Sequence, residues 1–332
     1  MNSLTHLSPL SVSRRDFLSR SAQAAAAGFL GSAFAESNPA ASLPSETLVT
    51  QLYKTLDEKQ KTAICLPWSD PRRLKVDNNW HIVKQPIHDV LNADQQAMVR
   101  EIFDKLHSDE YKTEVWKQFD HDNKGDGGFP SASIALFGEP GTGQFEFVLT
   151  GRHCTRRCDG DSEKGAAFGG PIFYGHAAGS FNEKPDHPGN VYWYQAKRAN
   201  EVFAALSGKQ RETALLGKSR QERGNFTVEL TGKKKGLEGI SMTDLAADQK
   251  DLVRKVIADL LKPFRKHDAE EAARYIEAGG FDNLHMAFFK EQDVGKDGVW
   301  DVWQIEGPNA VFYFRGDPHV HAWAHVREPV KA

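Results

Sequence analysis

Cysteine is scarce: only Cys65, Cys154 and Cys158 occur in 332 residues. Three are too few for a scaffold built on disulfides, so packing has to hold the core. Cys154 and Cys158 lie four apart, a spacing compatible with one bridge, with free thiols or with a shared metal. Long apolar runs are missing as well. The most apolar stretch, Ala24 to Phe34, is shorter than the ~20 residues that span a bilayer, so no stable membrane insertion is expected of the mature chain. Blocks of one charge sign are also absent, with 42 Lys and Arg against 45 Asp and Glu. A phosphate-binding surface shows clustered basic residues, so no nucleic-acid partner is expected. The short run Lys233-Lys234-Lys235, between Gly232 and Gly236, reads as a solvated turn.

Familiar catalytic signatures are equally thin. No Gly-x-Ser-x-Gly elbow occurs, which weakens a serine-hydrolase reading. Gly138-Glu139-Pro140-Gly141-Thr142-Gly143 lacks the Lys-Ser/Thr ending of a phosphate loop. In Asp120-His121-Asp122-Asn123-Lys124-Gly125-Asp126, Lys124 takes a ligand position of a calcium loop, and Ser131 stands where the closing Glu belongs. That stretch reads as a polar loop.

The informative features begin at the N-terminus. Ser13-Arg14-Arg15-Asp16-Phe17-Leu18 fits the twin-arginine export consensus. The Ala- and Gly-rich stretch after it ends at Ala33-Phe34-Ala35, whose small first and third residues suit signal peptidase. Cleavage is expected after Ala35, leaving 297 of the 332 residues. The expected partner is the twin-arginine export machinery and the expected location is periplasmic or extracellular. No cysteine closely follows the cleavage site, so a lipid anchor is not indicated.

The mature chain then repeats itself. Leu91-Asn92-Ala93-Asp94-Gln95 returns as Leu245-Ala246-Ala247-Asp248-Gln249, and Leu56-Asp57-Glu58-Lys59-Gln60 as Leu206-Ser207-Gly208-Lys209-Gln210. Ile134-Ala135-Leu136-Phe137 matches Met286-Ala287-Phe288-Phe289, and Phe147-Val148-Leu149-Thr150-Gly151 matches Trp303-Gln304-Ile305-Glu306-Gly307. Apolar residues at helical spacing make the first two blocks helices. Hairpins are expected from Ser133–Phe137 with Phe145–Thr150, and from Leu284–Phe289 with Val299–Glu306. The second has a longer turn around Asp293 to Gly298, and further strands follow at Ala310–Arg315 and His319–Val326. Helices first and strands after, in each half, predict an internally duplicated α+β fold packed about a pseudo-two-fold axis. Residues 1–35 form the signal, 36–190 the first repeat and 191–332 the second, the two repeats making one compact unit with a cleft at their junction as a natural ligand site.

Histidines carry the candidate chemistry. In His319-Val320-His321-Ala322-Trp323-Ala324-His325 the three imidazoles and the indole fall on every second residue. On a strand all four emerge on one face, with Val320, Ala322 and Ala324 on the other. Two imidazoles at i and i+2 can share a metal ion, and imidazole suits zinc, copper, iron and nickel. His153, just past the first hairpin, is the expected third ligand, with His176 and His285 in reserve. Arg152, Arg156 and Arg157 beside His153, and Arg327 after the last histidine, make either an anion-receiving mouth or an ordinary basic surface. Cys154 and His153 are sequence neighbours and point apart on a strand, so a thiol–imidazole pair is not supported.

The repeated Leu-x-x-Asp-Gln helices, the Phe137-Gly138-Glu139-Pro140 turn, the Gly151-Arg152-His153 step and the closing His319-Val320-His321-Ala322-Trp323 resemble the bacterial and fungal family catalogued as domain-of-unknown-function family 3500. The resemblance extends over the mature chain and implies no established reaction. Members carry two adjacent histidines after that glycine; here Arg152 stands at the first and His153 at the second. It therefore supports His153, His319 and His321 as a set and puts one further ligand in doubt.

The leading expectation is a metal-dependent enzyme, with zinc, copper or iron held by His153, His319 and His321 and one position open. Hydrolase and oxidoreductase both fit. Arg152, Arg157 and Arg327 would orient a small anionic substrate and Trp323 would wall the pocket. The competing expectations are a non-catalytic ligand- or metal-binding protein, and a purely structural use of the histidines.

Overall fold

The computed structural model describes residues 44–176, 189–291, 293 and 300–330. The chain begins with helices α1 (Pro44–Thr55) and α2 (Glu58–Ile64), strand β1 (Cys65–Leu66), and helices α3 (Ile87–Val90), α4 (Ala93–Lys105) and α5 (Lys112–Asn123). Strands β2 (Ser133–Gly138), β3 (Phe145–Gly151), β4 (Cys154–Cys158) and β5 (Ile172–His176) follow. Next come α6 (Trp193–Ala205), α7 (Gly208–Ala214), β6 (Leu215–Leu216), β7 (Ile240–Ser241), α8 (Ala247–Leu261) and α9 (Lys266–Gly279). The last strands are β8 (His285–Phe289), β9 (Val302–Glu306), β10 (Ala310–Arg315) and β11 (Val320–Val326). The fold is mixed helix and sheet, as the α+β expectation has it, and these residues fall within one compact unit, Ser42–Ala332. The export motif, the cleavage site, His187 and residues 294–299 of the longer hairpin turn lie outside the described residues.

Glutamines organise four helix starts. Gln60 Oε1 accepts the amide of Asp57, Gln95 Oε1 that of Asn92, Gln210 Oε1 that of Ser207 and Gln249 Oε1 that of Ala246, all within 2.8–3.0 Å. Asp57, Asn92 and Ser207 answer with side-chain oxygens on the third helical amide, closing reciprocal capping boxes. Gln60 and Gln95 then exchange amide hydrogen bonds of 2.8 and 3.1 Å, and their second N–H groups go to the carbonyls of Val90 and Thr55. Gln210 and Gln249 exchange bonds of 3.0 and 3.0 Å and use the carbonyls of Asp244 and Ala205. Both polar pairs are therefore saturated, which is the condition for burying an amide in a core.

The strands form one eleven-stranded sheet in the order β1-β2-β3-β4-β5-β11-β10-β9-β8-β6, with β7 on β8. From β2 to β8 every pairing is antiparallel; β1 joins β2 and β6 joins β8 in parallel. Gly138 (φ +69°) turns β2 into β3, and a Cβ there would strike the carbonyl of Gln144. Both faces are covered, which explains why β3 and β4 are buried at every position instead of alternating. One face packs on the helices, with Ile134, Phe147, Cys154, Cys158, Tyr174, Ala322 and Ala324 in that core. The other carries a smaller cluster around Phe173, Val311, Tyr313 and Trp323, closed by Val76 and Val228 from the connecting segments. Cys154 and Cys158 are free. Both point to the helical face from one strand, about 13 Å apart at ~3.3 Å per residue, beyond the reach of a disulfide.

Gln95 and Gln249 are expected to be stability residues. Each change to Ala removes both bonds exchanged with its partner glutamine, costing about 1–3 kcal/mol. Because the two pairs share no partner, the double variant should cost the sum in urea unfolding, within ~0.5 kcal/mol.

Candidate metal centre

Sheet alternation sorts the C-terminal histidines. Val320, Ala322 and Ala324 join the helical core while Trp323 joins the opposite cluster, so His319, His321 and His325 point away from the helices with the indole. β5 lies alongside, pairing His321 with Gly175 and Trp323 with Phe173. Gly175 has a steric reason to be glycine. A Cβ there would overlap the Val320 carbonyl and stand 3.2 and 3.3 Å from the His153 and His321 rings. His153 enters from the β3–β4 connection in left-handed backbone geometry (φ 54°), at a cost on the order of 1–2 kcal/mol for a residue with a Cβ. Its amide is tied to the Asn78 carbonyl at 2.9 Å, and this turn swings its side chain toward β11.

The three imidazoles meet through their Nε2 atoms. His153 Nε2 is 3.0 Å from His319 Nε2, which is 2.9 Å from His321 Nε2. One ligand nitrogen from each lies within 4.8 Å of the others, the spacing ligands of one ion need. Behind two of them stand carboxylates. His153 Nδ1 lies 2.8 Å from Asp122 Oδ2, and His321 Nδ1 lies 2.8 and 3.0 Å from the Glu222 oxygens. A carboxylate on Nδ1 favours the proton there and the lone pair on Nε2, although at His321 the Arg315 Nη2 group, 2.6 Å from the same Nδ1, competes with Glu222 for that nitrogen. Glu222 is itself held by Trp323 Nε1 at 3.0 Å and Arg315 Nε at 3.1 Å.

Electrostatics keep His319 and His321 neutral. Burial, then the neighbouring His321 and His153, pushes His319 down to about 3. Burial takes His321 down to about 4, although Glu222 pulls the other way. Burial alone would raise the Asp122 carboxyl, but hydrogen bonds from His153 and His176 outweigh it and hold Asp122 below the usual carboxylate range. At neutral pH the site thus offers nitrogen lone pairs backed by anions, a donor set that suits a transition-metal cation.

The other residues singled out in the sequence are placed as follows. His176, at the end of β5, sits 3.6 Å from Asp122 Oδ1 and so joins the centre through that carboxylate. His285 starts β8, three strands from β11, about 14 Å away at ~4.8 Å per strand. Trp323 reaches the centre through Glu222. Arg157 is fully buried: it pairs with Glu146 at 2.7 Å and donates to the carbonyls of Pro171, Arg73 and Lys75. Arg156 points to the opposite face and donates to His107 Nε2 at 3.0 Å. Arg327 pairs with Glu163 at 3.0 Å. Arg152, next to His153 in the chain, is part-exposed and has only the long 3.8 Å contact to Asp126 among the described residues. Burial pushes the Cys154 thiol up to about 11, away from nucleophilic use.

Two residues that sequence reasoning missed complete the centre. Asp122 was read within a polar loop, yet α5 extends through Asn123 and buries it. Its signal was the Val115-Phe119-Asp122 spacing, which continues a buried helical stripe. Glu222 comes from an irregular segment, and no periodicity marks it.

An α+β protein with a largely buried three-histidine cluster is what fold and site define. The chain belongs to the family described as "Protein of unknown function (DUF3500)", whose model matches residues 42–331. No curated protein and no solved structure matches it.

Two outcomes follow from this geometry. Gly175→Ala should force the His153 and His321 rings apart and lower divalent-metal affinity at least tenfold, measured by chelator competition. Arg157→Met should act on stability, costing ~3–5 kcal/mol because it removes the closest partner of the buried Glu146 carboxylate; chemical denaturation reads it.

Proposed function

We propose that this protein is a metal-dependent enzyme, with His153, His319 and His321 holding one zinc, copper or iron ion and a further position left for water or substrate. The observation that carries the reading is the convergence of three Nε2 atoms, two of them backed by carboxylates on Nδ1. Three nitrogen ligands with an open position suit metal-activated hydroxide, and they equally suit redox chemistry with copper or iron. His319 is the least buried of the three, so substrate approach is assigned to its side. The substrate is a small molecule, in keeping with a centre recessed between strand ends.

Protein purified after native export should contain about one transition-metal ion per chain by mass spectrometry, and His321→Ala should lose it. Absence of stoichiometric metal from the native protein would refute the proposal, and metal surviving the substitution would refute the ligand set. Oxygen-uptake and ester- or peptide-cleavage assays on the loaded protein then separate redox from hydrolytic chemistry. Loaded protein silent in every assay would favour a second reading, a non-catalytic metal-binding protein, which the near-complete burial of His153 and His321 supports.

The same proposal covers location and origin. The Arg14-Arg15 motif supports twin-arginine export and work in the periplasm or outside the cell. Among the described residues no helix is long and apolar enough to cross a membrane. An internal duplication about a pseudo-two-fold axis is supported by paired details. Cys65 aligns with Leu136 as Leu215 does with Phe288, and the Gln60–Gln95 pair has its counterpart in Gln210–Gln249. The strand order also reads alike from either edge toward β5 and β11. On this reading Asn309 stands where His153 stands, so the halves have diverged: the first supplies His153 and Asp122, the second His319, His321 and Glu222.

A further inference from the structure

A cleft of about 450 Å³ is lined by Asn79, His81, His88, Asn123, Asp126 and Arg152 among others. Its volume falls in the range of small-molecule sites. Two of its lining residues are chain neighbours of the centre, Arg152 before His153 and Asn123 after Asp122, and Asn79 bridges to Arg152 through the backbone.

Most polar groups in the cleft are already engaged. Asn123 Nδ2 donates to the Phe119 carbonyl at 2.8 Å. His88 uses Nδ1 on the Pro130 carbonyl at 2.8 Å and has Nε2 3.3 Å from Asp89. What remains is the Arg152 guanidinium, whose carboxylate neighbour Asp126 is 3.8 Å away, with both side chains substantially exposed. A pair so long and so wet contributes little, and an incoming anion can replace it. His81, on the same wall, is exposed. The guanidinium fork matches the paired oxygens of a carboxylate or phosphate. Apart from Pro86 and Gly151 the lining side chains are polar, which disfavours an apolar ligand.

We infer that this cleft is the recognition half of the metal centre and that it takes a small oxyanion, gripped by Arg152 and flanked by His81. The inference rests on the metal reading for its catalytic meaning, but its binding claim is separable. It also sorts the arginines: Arg157 and Arg327 are spent on buried or local carboxylates, and Arg152 is left to select substrate.

The test is calorimetric titration of the natively exported protein at low ionic strength, with inorganic phosphate and malonate as separate probes. Saturable binding of at least one is expected, and the tighter probe tells phosphate from carboxylate. Arg152→Gln should weaken it at least tenfold with metal content unchanged. His81→Asn should weaken it severalfold, and Lys233→Gln, in the remote basic turn, should leave it alone. Failure of both probes to bind, or binding indifferent to Arg152→Gln, overturns the inference. Arg152-dependent binding by native protein that proves metal-free would keep the cleft and remove the metal. A metal-loaded protein whose anion binding ignores Arg152 would do the reverse.

Discussion

The pairing of β5 with β11 is the constraint on which the rest depends. It joins the strands of the N-terminal part to those of the C-terminal part, from Ile172 against Ala324 to His176 against Val320. A slip of one residue would exchange the faces of β11, sending His319, His321 and Trp323 into the helical core and Ala322 outward. The apolar residues on both faces resist that slip, because Ala322 and Ala324 fit under the helices where rings of that size would not. Register is thus enforced by packing along the whole strand, and the histidines inherit their position from it.

Charge is buried in the same disciplined way on both sides of the sheet. Glu146 is enclosed by Arg73 and Arg157, Glu46 by Arg265, and Glu222 by Arg315, Trp323 and His321. Burial still raises the Glu146 carboxyl despite its two arginines. Each of these clusters is internally matched, as removal from water demands. The histidine centre departs from that pattern: three imidazoles face one another through their Nε2 atoms. That asymmetry distinguishes a site from a structural ion pair.

Much of this was legible in the sequence because it lies in periodic segments. The i, i+2 spacing of His319, His321 and Trp323 specified a common face, and the Leu-x-x-Asp-Gln blocks marked helices that do start there. β10 falls on Ala310–Arg315 as read. The supporting carboxylates were not legible, for two different reasons. Asp122 belongs to a helix whose last turn is rich in polar residues, so composition argued for a loop. Glu222 is positioned by tertiary contacts alone. The arginines misled for a related reason: Arg156 and Arg157 are adjacent on a strand, so they face opposite sides and cannot act together, and each is satisfied by a separate buried network. Composition can count positive charges near a site without showing which have already been neutralised.

The separation of the ligands along the chain sets a timetable. His153 and His319 are 166 residues apart. At about 5–20 residues per second, a ribosome delivers the second roughly 10 to 30 s after the first. During that interval the Asp122–His153 pair lacks the two imidazoles whose Nε2 atoms complete the cluster in the folded protein. Only closure of β11 onto β5 brings three together. Were an ion held there, selection among metals would fall to the folded protein and not to the nascent chain, in whichever compartment hosts that final strand closure.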